Sequence, residues 1–92
     1  MRQENAHTLA LQTLGWLAGR EDLIGAFLAN SGASVDDLRA QASDPDFLAG
    51  VLDHVLQDDQ VVLDCAQDLG VQPEALMQAR AVLGRGDLRH WT

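Results

Sequence analysis

Apolar and polar positions follow a helical period along most of the chain. The clearest block runs from Asp44 to Leu56. Its apolar residues Phe47, Leu48, Val51, Leu52, Val55 and Leu56 fall at i, i+1, i+4, i+5, i+8 and i+9. At ~100° per residue they cover about half of a helix circumference. A half-apolar helix needs neighbours on two sides, so this stretch is predicted to be the centre of a small helical domain.

The flanking blocks read as shorter helices. The first is predicted from Asn5, as N-cap, to Ala18, with Gly19 ending it. Ala10, Leu11, Leu14, Leu17 and Ala18 share its apolar face, while Leu9 and Trp16 lie on a second edge. Gly15 would let another helix approach closely. The second block runs from Glu21 to Ser31, with Leu23, Ile24, Phe27 and Leu28 as its stripe and Gly32 as its stop. Ser34 and Asp37 form a capping-box pair for a third, short helix ending near Ala42, with Val35, Leu38 and Ala42 inward.

Ser43 or Asp44 caps the central helix, and Pro45 takes its first position, where a missing N–H is no loss. Asp58 or Asp59 caps a fifth helix that buries Val61, Val62, Cys65, Ala66 and Leu69 and stops at Gly70. Pro73 opens a sixth, with Leu76, Ala79, Val82 and Leu83 on one side and Gly84 as its end. The expectation is an all-α, compact bundle of five or six short helices in one domain, residues 1–92. Its helical core covers about 5–84, followed by a C-terminal tail, 85–92. Short links favour antiparallel neighbours.

A shift of 38 residues lays the first three helices over the last three: Leu14 meets Leu52, Leu17 meets Val55, Gly32 meets Gly70, and Leu38 meets Leu76. Identities are no better than chance, but the apolar pattern and the glycine stop agree. The chain therefore also reads as two similar three-helix units packed together.

Composition narrows the function classes. The 92 residues carry 14 acidic and 6 basic side chains, a net charge of −8, and all six basic residues are Arg. A duplex-DNA binder needs a basic face to displace counterions, and six scattered Arg do not supply one. The same balance argues against an anionic membrane surface. Cys65 is the single cysteine, so an intrachain disulfide is excluded. No apolar run approaches the ~20 residues of a membrane span, and the N-terminus lacks a signal-peptide pattern. These features predict a cytoplasmic protein.

Four motifs compete with structural explanations. Ala66 to Leu76 has the small residue, Gly, apolar residue and capped second helix of a helix-turn-helix. Its would-be reading helix leads with Gln72, Pro73, Glu74 and Gln78, with only Arg80 basic, so the chemistry of base recognition is thin. A glycine stop followed by a capped helix is also the generic way to join two helices. His7, His54 and His90 are the candidate general bases. His54 borders the central stripe but points ~100° away from Asp53, so the two are not a dyad. A partly buried, hydrogen-bonded histidine is the better reading. Apolar neighbours on the face of Cys65 would raise its thiol pKa and leave it inert. No metal-ligand spacing appears, and Asp64 and Asp68 at i, i+4 are an ordinary wet pair. No catalytic, cofactor-binding or metal-binding set is predicted.

The fourth motif is the C-terminus. Arg85-Gly86-Asp87 matches an integrin-binding tripeptide by chance. The segment Leu88-Arg89-His90-Trp91-Thr92 must fold back on the bundle or meet a partner, and docking on the edge with Leu9 and Trp16 is the expected outcome. Trp16, Leu88, His90 and Trp91 are the candidate partner-binding residues.

The chain resembles a bacterial family of short, acidic, all-helical proteins catalogued only as a domain of unknown function. The resemblance covers nearly its whole length. It rests on Leu14-Gly15-Trp16-Leu17-Ala18, on Phe27-Leu28 followed by Gly32, and on Asp44 to Leu48 running into Val51-Leu52-Asp53. Gly70 with Pro73-Glu74, and the ending Gly86-Asp87 to Trp91, complete it. It implies a fold class and a bacterial cytoplasmic setting, and brings no activity, ligand or catalytic residue. The residues favour a non-catalytic protein-interaction module with an acidic helical surface, binding another protein or a second copy. A helix-turn-helix-like, transcription-associated protein is the alternative, and a small enzyme without a recognisable motif comes third.

Overall fold

The apolar periods become six helices in the described residues, 1–83, of the computed structural model. They are α1 (Gln3–Ala18), α2 (Glu21–Ser31), α3 (Val35–Ala40), α4 (Pro45–Leu56), α5 (Asp59–Leu69) and α6 (Pro73–Leu83). The fold is an all-α bundle. Leu88, His90 and Trp91, and the Arg85-Gly86-Asp87 tripeptide, lie outside the described residues.

Local chemistry explains most boundaries. The Ser34 hydroxyl accepts from the Asp37 N–H at 3.2 Å, and Asp37 accepts from the Ser34 N–H at 2.9 Å, which completes the capping box. Asp44 accepts from Asp46 N–H at 3.0 Å with Pro45 at the first helical position, and Asp58 accepts from Gln60 N–H at 2.9 Å. Gly32 and Gly70 end α2 and α5 in the left-handed region, at φ 73° and 72°. Only glycine enters that region without a Cβ clash. At Gly70 the Val71 N–H reaches back to Ala66 C=O at 2.9 Å, the six-to-one bond of a Schellman turn.

Two predicted ends differ. Helix α1 starts at Gln3, with Arg2 in the cap position and no side-chain cap, so Asn5 lies inside the helix. Gly19 stays right-handed at φ −81°, because the last turn tightens and the Arg20 N–H bonds Leu17 C=O at 3.0 Å. Helix α3 stops at Ala40, two residues early, and its successors turn toward Asp44. Asp44 is extended, at φ −82° and ψ 117°, as suits the residue before Pro45.

The centre is shared by three helices. α1, α4 and α6 make the most extensive mutual contacts, and α5 packs against all three. Leu48, Val51, Leu52 and Val55 of α4 are fully buried, as are Leu17 of α1 and Leu76 of α6. One contiguous cluster draws buried residues from every helix.

The buried face of α1 is rotated from the predicted one. Ala6, Leu9, Ala10, Thr13, Leu14 and Leu17 face inward, while Leu11 and Ala18 are exposed. Thr13 is admitted to the core because its hydroxyl donates to Leu9 C=O at 2.9 Å, leaving no unpaired donor. Leu9 is therefore a core residue. Val35 is also exposed, leaving Leu38 as the buried residue of α3.

Candidate functional site

The rotation of α1 leaves an apolar feature at the surface. An α-helix whose apolar arc is wider than the arc its neighbours cover leaves the remainder at the surface. On α1 that remainder is Leu11, Gly15 and Ala18, spaced i, i+4 and i+7. Short α3 lies alongside without filling the gap. The result is a groove of about 350 Å³ lined by Leu11, Leu14, Gly15, Ala18, Val35, Leu38, Arg39 and Ala42. Val35 is 56% exposed and Leu11 37%, so both present large apolar surface beside the groove. A Cβ placed on Gly15 would meet nothing within 4 Å. The close helix approach that Gly15 allows is thus not used within the described residues.

The charge at this groove is distinctive. Arg2 pairs with Glu4, Arg20 lies 5.2 Å over the Trp16 ring, and Arg80 bonds Asp53 at 2.6 Å. Arg39, on the groove wall, has no such partner among the described residues. Asp36 stands one turn before it on the same side of α3 and is exposed.

A second apolar depression, about 470 Å³, lies between α5 and α6 and is lined by Leu56, Asp59, Val62, Leu63, Pro73 and Met77. Its exposed Leu63 and Met77 went unassigned in the sequence because they sit outside the stripes of their helices.

Trp16, next to Gly15 in the chain, is partly buried. Its indole N–H donates to Asp68 at 2.7 Å, which ties the end of α1 to the end of α5. Asp68, read as wet from sequence, is thus half of a link spanning 52 positions.

The polar candidates gather elsewhere. His54 lines a cleft of about 330 Å³ with Leu17, Leu23, Ala26, Gln57, Asp58 and Val61. On its other side His54 and Gln57 border a smaller depression with Phe27, Asn30 and Asp53. The partly buried imidazole packs edge-on against Phe27, with centroids 5.2 Å apart. The structure therefore brings His54 and the Asp58 carboxylate to one cleft, although Asp58 is engaged as the α5 cap. Cys65 is fully buried and apart from this cleft. Burial pushes its thiol pKa up; the nearby Thr13 hydroxyl pulls it down, and the Asp68 charge adds to the rise. Among the described residues no three His, Cys, Asp or Glu side chains gather as a metal site. No described helix is long and apolar enough to cross a membrane.

The family described as "Protein of unknown function (DUF3572)" matches residues 3–86. The chain belongs to the DUF3572 family. The match takes in α1 to α6, and with them both apolar depressions and the His54 cleft. Leu88, His90 and Trp91 lie beyond the matched residues. No curated protein and no solved structure matches the chain.

The groove residues Leu11, Val35 and Arg39 were missed as site residues. The signal was present: Leu11, Ala18, Val35 and Ala42 all continue apolar stripes. A periodic pattern alone does not say how much of a stripe the neighbours will cover.

Proposed function

We propose that this DUF3572 chain is a non-catalytic protein-interaction module of a bacterial cytoplasm, and that the α1–α3 groove is its binding face. The observation that carries the reading is the groove itself. Leu11, Gly15, Ala18 and Val35 form an apolar surface left open on a protein of 92 residues with a net charge of −8. A contiguous apolar groove bordered by exposed Leu11 and Val35 is the kind of surface that a partner protein covers. The acidic remainder keeps the chain soluble and repels unsuitable anionic partners. The single, buried cysteine suits a reducing compartment. The C-terminal Leu88, His90 and Trp91 supply a second set of anchors for the same role.

A direct test immobilises the full chain and its Leu11→Asp variant in matched amounts and compares captured protein. Leu11 is exposed, so the variant should fold. Capture that is specific and lost in Leu11→Asp supports the groove. Identical capture by both, or none by either from a chain that is also monomeric, removes it.

The helix-turn-helix reading is weakened by how α6 is used. Leu76, Ala79, Val82 and Leu83 are buried, and Arg80 is engaged by Asp53. The face of α6 that stays exposed, Glu74, Met77, Gln78 and Ala81, carries no basic side chain for base recognition. The enzyme reading gains one specific observation, the shared cleft of His54, Gln57 and Asp58. Screening small polar ligands by chemical shift at His54 tests it; absence of any ligand-induced shift counts against it.

A further inference from the structure

We infer that the occupant of the α1–α3 groove is a second copy of the chain, docked through the same face across a twofold axis. The inference rests on the proposed reading that the groove is an interaction face. It deepens that reading by naming the partner.

Three features make this face complementary to itself. First, a twofold contact joins each patch to its own copy, so any charge on it needs the opposite charge nearby on the same patch. Arg39 on the groove wall and Asp36 just outside the groove satisfy that requirement, one turn apart on α3 and both exposed. Arg39 of one protomer then faces Asp36 of its partner, twice over. This supplies Arg39 with the carboxylate it lacks among the described residues. Second, Leu11, Gly15 and Ala18 present a strip in which a glycine stands between a large and a small apolar residue. Two such strips cross with the helix axes close at Gly15, where open space surrounds the missing Cβ. Third, Val35, half exposed in one copy, gains an apolar neighbour in the other.

The α5–α6 depression offers a second apolar patch on other helices, with Asp59 as its charged lining residue. That patch therefore serves as the control.

The face is limited in extent, since α3 is 6 residues long, so the dimer should be concentration-dependent. Sedimentation velocity of the full chain, from about 10 to 500 μM, reads the equilibrium directly. A monomer–dimer transition in that range is expected. Arg39→Asp should weaken it at least about tenfold, and Arg39→Asp combined with Asp36→Arg should restore it, because the pair is swapped in both copies at once. Gly15→Leu should weaken dimerisation by a similar factor, while Met77→Asp should leave it unchanged. Circular dichroism melts confirm that each variant is folded.

A chain that stays monomeric to 500 μM overturns the inference. So does a dimer that ignores both Arg39→Asp and Gly15→Leu, or one that Met77→Asp breaks. A monomeric chain that still captures a different protein through Leu11 refutes the homodimer but leaves the groove as an interaction face. A monomer with no Leu11-dependent capture refutes both.

Discussion

The two glycine turns join very different pairs of helices. Gly32 and Gly70 adopt nearly the same backbone, φ 73° and 72°, and each follows an 11-residue helix. After Gly70 comes α6, 11 residues long, which buries Leu76, Ala79, Val82 and Leu83 against α1 and α4. After Gly32 comes α3, 6 residues long, which buries Leu38 alone. The turns have the same local chemistry. What differs is the supply of large apolar side chains afterwards. A repeated turn does not make a repeated unit. The α5–α6 hairpin belongs to the core, while α2–α3 is an arm laid on it, and the open groove is the consequence.

If that contrast is right, the largest effect belongs to the core. Leu52 is fully buried at the centre of α4, and Leu52→Asp places a carboxylate where no partner is present. Loss of the cooperative thermal transition is expected. A near-normal melt would show that α4 is not the centre.

The next test compares the two arms through equivalent positions. Leu76→Ala empties a fully buried site between α6 and its neighbours and should cost about 3–5 kcal/mol. Leu38→Ala, at 7% exposure beside an open groove, should cost about 2 kcal/mol or less, since the site is already bordered by empty space. Denaturant titration measures both. Equal costs would remove the distinction between core hairpin and peripheral arm.

The turns themselves sharpen the same point. Gly32→Ala and Gly70→Ala each force a Cβ into the left-handed region, at about 1–2 kcal/mol of local strain. In α5–α6 the strain should appear as lost global stability. In α2–α3 it should appear chiefly as faster amide exchange within the arm, because the arm can open while the core stays closed. Matching exchange profiles for the two variants would mean that both arms open only with the whole molecule.

Much of this architecture was legible in the sequence. Capping chemistry is local, so Ser34 with Asp37, Asp44 with Pro45, and the glycine stops at Gly32 and Gly70 could be read directly. The central stripe of α4 was legible because its apolar arc is wide and continuous. The inward face of α1 was not, because Leu9, Leu11, Leu14, Leu17 and Ala18 spread around most of the helix. Only tertiary packing decides which of them are covered. The groove was hidden for the same reason, since its residues look like core until the neighbours are placed. The link from Trp16 to Asp68 spans α1 to α5, and no periodicity reports on it.

The mildest perturbation uses the one thiol. The chain has no Lys and no Tyr, so Cys65 is the only side chain expected to titrate between about pH 8 and 11. It lies fully buried on α5, on the core side of the comparison, and burial raises its pKa above the ordinary thiol value. The folded chain therefore holds this proton more tightly than the unfolded chain. Stability from the neutral thiol is fully present below the ordinary thiol pKa and is lost as pH rises toward the raised one. Thermal melts should show a stability plateau through neutral pH and a decline on the alkaline side. Cys65→Ala should be less stable at neutral pH, because it loses a buried sulfur, yet flat across the alkaline range. An alkaline decline that persists in Cys65→Ala would assign the effect to another group. A flat profile in the unsubstituted chain would mean that α5 lets the thiolate reach water, and that this hairpin is looser than the core role given to it.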